Sequence, residues 1–138
     1  MPVVEIHLVE GDHDDRRIED LLRRVSERYA AVLESPIDRV RAFVTMHATQ
    51  HWMTGGVTAA VDGDPAPYFA AAVLEGRPVE QRHRLLAELT DVLCDVLGVT
   101  RSRVRGRVVQ VPPDDWAIGG VPAATRRRDE IVARSSRL

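Results

Sequence analysis

The sequence predicts an α+β fold: two tandem β-α-β repeats forming a four-stranded mixed sheet backed by two helices. Three observations predict it. An ordered series of matches relates the two halves of the chain, at an offset of 65 positions at the start and 64 later. Each half sets a short apolar run before a long stripe of apolar residues at helical spacing. A second strand-like run then follows, and a strand-helix-strand crossover of this length makes the two strands of a unit parallel.

In chain order, Pro2-Val3-Val4-Glu5-Ile6-His7-Leu8-Val9-Glu10-Gly11 is answered in pattern by Pro67-Tyr68-Phe69-Ala70-Ala71-Ala72-Val73-Leu74-Glu75-Gly76. Residues 3–9 and 68–74 read as strands covered on at least one face. The change of offset places one extra residue in the first half, near Asp12 to Arg17. Ile18, Leu21, Leu22, Val25, Tyr29, Val32 and Leu33 then form one helical stripe, and Leu85, Leu86, Leu89, Val92, Leu93, Val96 and Leu97 form the other. Pro78 suits a first helical turn and Gly98 a C-terminal stop.

Arg41 to Met46 and Arg105 to Val111 supply the second strands. Trp52-x-x-Gly55-Gly56 and Trp116-x-x-Gly119-Gly120 close the units, their glycines suiting tight turns or short hairpins. Asp62-Gly63-Asp64-Pro65-Ala66-Pro67 interrupts regular structure and is the natural join. The expected organisation is a first unit at 2–61, a linker at 62–66, a second unit at 67–125 and a polar C-terminal segment at 126–138. That last segment reads equally as a helix across an oligomer interface or as an exposed tail.

Units of roughly sixty residues bury little surface alone, so the halves should share an interface. A hydrophobic content of 44% supports a folded core. The net charge of -2 predicts no attraction to nucleic acid. No apolar span is long enough for a membrane helix, no secretion signal is legible, and the cytoplasm is the expected location. Cys94, the only cysteine, reads as a buried thiol in a helical stripe. His47 and His51 lack the surrounding carboxylates of a zinc motif. The glycine pairs lack the lysine-bearing pattern of a phosphate loop.

With these motifs in order over about residues 2–125, the chain resembles the tautomerase superfamily, as a tandem fused 4-oxalocrotonate tautomerase. The features that carry the resemblance are Pro2 with Ile6-His7-Leu8-Val9-Glu10-Gly11, then Ser35-Pro36-Ile37-Asp38-Arg39-Val40-Arg41, Val73-Leu74-Glu75-Gly76-Arg77, Val104-Arg105 and the two Trp-x-x-Gly-Gly motifs. The resemblance implies a homotrimer of fused chains, an amino-terminal proline as general base or acid, arginines on the carboxylate or carbonyl of a small 2-oxo or unsaturated acid, and no cofactor or metal.

Only Pro2 can become a free secondary amine, once Met1 is removed; Pro67 is an internal amide. An unperturbed α-amino group titrates near 7.7–8.0. An apolar site and nearby cations lower that value, leaving a neutral amine able to accept a proton. If the first strands of the two units pair antiparallel, Pro2 faces Arg77, while Pro67 faces Asp12. Arg77 then suits a bidentate carboxylate contact.

By the resemblance, Arg41 or Arg105 polarises the substrate carbonyl, often from a neighbouring subunit, and the two are equally eligible here. Trp116 is the expected aromatic wall of the Pro2 site. Arg39 and Arg103 share the repeated phase of Arg41 and Arg105 and stand as secondary candidates. Asp114 and Asp115 are further candidates should the chain catalyse hydration, dehalogenation or decarboxylation instead. A noncatalytic assembly or ligand-binding protein of the same fold is the third reading.

Overall fold

The computed structural model describes residues 2–11 and 13–136. The expectations for Met1 and Asp12, and the last two residues of the polar tail, lie outside them. Strand β1 (Val3–Val9) alternates, with Val4, Ile6 and Leu8 buried and the residues between them half-buried. Helix α1 (Asp15–Leu33) begins at Asp14, whose carboxylate accepts from Arg17 N at 2.8 Å. Strand β2 (Arg41–His47) runs one residue beyond the expected Met46. A hairpin of β3 (Met53–Thr54) and β4 (Val57–Thr58) follows.

The second unit repeats the order with β5 (Tyr68–Leu74), α2 (Val79–Leu97), β6 (Arg105–Val111) and the hairpin β7 (Ala117–Ile118) and β8 (Val121–Pro122). Pro78 is the N-cap of α2, one position before the first turn where it was expected. In each hairpin both turn glycines have positive φ: 61° and 81° at Gly55 and Gly56, 57° and 80° at Gly119 and Gly120. Such turns match the twist of the strands they join, and glycine enters them without strain.

Four strands form one sheet in the order β2-β1-β5-β6. Within each unit the strands are parallel; across the join β1 and β5 are antiparallel, with Val3 opposite Ala72 and His7 opposite Tyr68. Two units sharing one sheet therefore bury one core. Ile6, Tyr29, Phe69, Leu85, Leu89 and Leu93 are fully buried between sheet and helices. Each such side chain contributes about 1.5–3 kcal/mol relative to exposure. Gly106 accommodates the Phe69 ring opposite it, because a Cβ there would meet ring atoms at 2.2 to 2.7 Å. Cys94 is half-buried against this core rather than fully enclosed.

The C-terminal segment forms a short helix α3 (Ala123–Arg126) and α4 (Arg128–Ser135). Among the described residues, no helix is long and apolar enough to cross a membrane.

Candidate active site

Pro2 is fully buried at the start of β1, and its carbonyl accepts from Arg41 N at 3.0 Å. The antiparallel pairing sets the start of β1 beside the end of β5, where the chain turns through Gly76, φ 110°, into Arg77. Arg77 Nη1 donates to Leu33 O at 3.0 Å and to Gln81 Oε1 at 3.2 Å, while Gln81 Nε2 donates to Val32 O at 2.8 Å. Ser35 N and Glu34 N reach Ala30 O and Ala31 O at 3.0 and 3.3 Å. All four terminal carbonyls of α1 thus have donors, two of them side chains of the other unit.

Arg77 sits at the negative end of that helix, which favours a cation. Burial, and after it the nearby Arg134 guanidinium, push its pKa down to about 10, so it is charged at neutral pH. Pro2 and Arg77 line one open cavity of about 890 Å³, with Glu34, Arg39 and Ile118 among the other walls. Helix α4 adds Glu130 and Arg134 to the lining. Arg39 holds both Glu130 carboxylate oxygens at 3.0 Å, raising its own pKa and lowering that of Glu130.

The second unit mirrors this arrangement around Pro67. Its carbonyl accepts from Arg105 N at 3.0 Å, and the cavity beside it is smaller, about 290 Å³, with Arg17 and Trp52 in its walls. Arg103, the repeat equivalent of Arg39, binds Asp62 at 2.8 Å and Asp64 at 3.1 Å. Each unit's exit segment is therefore fastened by the corresponding arginine: the linker on one side, α4 on the other.

The other sequence candidates lie apart from Pro2's cavity within the single chain. The exposed guanidinium of Arg41 is turned onto the carbonyls of Asp38 and Arg39, and that of Arg105 onto Ser102 and Val104. Trp116 is half-buried, and Ile118, two residues on, reaches the cavity in its place. Asp114 and Asp115 are exposed in a 3₁₀ turn away from the cavity lining. Sequence reading missed Glu34, Gln81 and the α4 side chains. Glu34 was open to notice as the residue standing where the second repeat has Gly98.

A model of the tautomerase enzyme family matches residues 67–126. The 2-hydroxymuconate tautomerase of Pseudomonas sp. (strain CF600) is 38% identical over 56 residues, 41% of this chain and 87% of that protein. The chain belongs to the tautomerase family. Two solved relatives extend the match beyond one unit of this tautomerase. Native fused 4-OT superposes with a TM-score of 0.83 at 32% identity, covering 89% of this chain and 97% of that one. R7 fused 4-OT, an asymmetric trimer, gives 0.81 at 26% identity, covering 91% and 99%. The stretch of this tautomerase that fits the family model begins at Pro67, whose nitrogen is an amide.

Proposed function

We propose that the chain is a cofactor-independent tautomerase of a small 2-oxo or 2-hydroxydienoate acid, working through Pro2 after removal of Met1. The observation that carries this reading is that Pro2 and Arg77, from opposite units, line one cavity. A neutral prolyl nitrogen takes a proton from the carbon skeleton and returns it elsewhere. Arg77 binds the substrate carboxylate in a charge-assisted contact, leaving the reacting carbons toward Pro2.

Arg41 or Arg105 from another copy completes the oxyanion contact, since both are exposed at sheet edges and neither guanidinium enters the cavity of its own chain. Trp116 of another copy supplies the aromatic wall, since it does not line the Pro2 cavity of its own chain. That arrangement needs the trimer that R7 fused 4-OT forms. The 2-hydroxymuconate tautomerase relative sets the reaction to try first, with 2-hydroxymuconate, a dicarboxylate, screened beside monocarboxylate 2-hydroxydienoates. The chain acts as a homotrimer in the cytoplasm.

The test is a substrate screen. Intact mass establishes that Met1 is absent, and tautomerisation of 2-hydroxymuconate and related 2-hydroxydienoates is then followed with native protein. Turnover supports the reading, and its absence across the series with correctly processed protein contradicts it.

A further inference from the structure

The two long helices stop in the same way, but one stop carries a residue that its backbone disfavours. α1 ends at Glu34, φ 52° and ψ 44°; α2 ends at Gly98, φ 67° and ψ 24°. The repeat makes the two positions equivalent. Among the described residues Glu34 is the only non-glycine with positive φ. A Cβ in the left-handed region costs about 1–2 kcal/mol, and glycine at the same turn in the other unit avoids that cost.

Among the described residues no side-chain hydrogen bond or ion pair offsets the strain; the attraction of Arg77 acts on the Glu34 carboxylate only at longer range. The stop is made by backbone alone, through Glu34 N and Ser35 N. Strain that persists without a compensating contact points to a role outside folding. Glu34 lines the Pro2 cavity, whereas Gly98 presents no side chain to the other one. Its charge also lies within electrostatic reach of Arg77.

We infer that Glu34 is a specificity-determining residue: Arg77 takes one carboxylate of the ligand, and the Glu34 carboxylate repels a second, so that the cavity favours monocarboxylates over dicarboxylates of the same carbon skeleton. This rests on the reading of the cavity as a site for small carboxylic acids. Rejection by a fixed like charge is an effective way to discriminate between ligands with the same apolar body. The opposing attraction comes from Arg84, Arg127 and Arg134, which line the same cavity with the acids Glu80 and Asp129; Arg84 is already paired with Glu88, and Glu130 engages both donors of Arg39.

The experiment compares hexanoate with adipate, two inert six-carbon acids that differ by one terminal carboxylate, by titration calorimetry on native protein, Glu34→Gln and Glu34→Gly. Native protein is expected to bind hexanoate more tightly. Glu34→Gln should raise adipate affinity about tenfold relative to hexanoate, the size expected for losing one nearby like charge at the rim of a protein site. Glutamine keeps the left-handed strain and loses only the screened attraction of Arg77, so its Tm should fall by no more than about 1 °C. Glu34→Gly should show the same change in preference and raise Tm by about 2 °C. An unchanged preference in Glu34→Gln, failure of both acids to bind, or a lower Tm for Glu34→Gly overturns the inference. Turnover of 2-hydroxydienoates by native protein tests the enzyme reading separately: a protein that shows the preference without turnover loses that reading and keeps this one.

Discussion

Arg77 of the second unit donates to the carbonyl of Leu33 in the first at 3.0 Å, so one guanidinium both ties the units together and stands in the Pro2 cavity. Arg77→Ala should therefore fail in two measurable ways. Buried Leu33 O loses its side-chain donor, which costs about 1–2 kcal/mol and lowers Tm by a few degrees. Turnover of a 2-hydroxydienoate should show a kcat/KM lower by about a hundredfold, the scale of a lost charge-assisted contact. Arg77→Lys keeps the charge but loses the planar fork, and should recover stability more fully than kcat/KM.

Tyr29 marks a second departure from the repeat, since Leu93 stands at its equivalent. Its buried hydroxyl donates to Ala72 O and lies 3.5 Å from Val3 O, at the β1–β5 pair next to Pro2. Burial pushes its pKa upward, so it remains a protonated donor. Tyr29→Phe should lower stability in urea by about 1–2 kcal/mol with the m-value unchanged. Stability equal to native would mean that the hydroxyl contributes nothing net.

Acid should loosen α4 from the cavity. The Arg39 guanidinium holds Glu130 below the ordinary carboxylate value of 4.5, so the folded state binds that proton less readily than the unfolded chain. The pair's contribution is present in full above that ordinary value and fades as pH falls through the lower folded one. Both partners are partly solvated, so the effect is about 0.2–1 kcal/mol. Amides of α4 should exchange up to about fivefold faster, after correction for intrinsic rates, at pH 3 than at pH 6. Arg39→Ala should bring the same protection loss at neutral pH.

The strands at 3–9 and 68–74 were legible in the sequence because short apolar runs bounded by proline and glycine leave few alternatives, and that at 105–111, which is not apolar, was legible as the repeat counterpart of the run that begins at Arg41. β2 runs on to His47 because Glu10 N pairs with its carbonyl at 2.8 Å, a tertiary contact that no local pattern reports. The meeting of Pro2 and Arg77 in one cavity was legible through antiparallel pairing, which sets the start of one first strand beside the end of the other. Trp116 did not follow from that geometry, since the two-residue strand β7 carries Ile118 to the cavity first. Glu34 and α4 were illegible for another reason. A single left-handed residue has no periodicity, and the tail has no apolar stripe to set its face; its position comes from the long-range pair of Arg39 with Glu130.

The central claim is that one proline of a repeated pair is chemically live. It is tested most directly by measuring kcat for a single 2-hydroxydienoate with native protein, Pro2→Ala and Pro67→Ala, each shown by mass to have lost Met1. Pro2→Ala should lose about a hundredfold or more in kcat, the scale of a missing general base, while Pro67→Ala stays within about twofold of native if its fold is intact. Equal rates for native protein and Pro2→Ala, or a larger loss at Pro67 than at Pro2, would contradict the account.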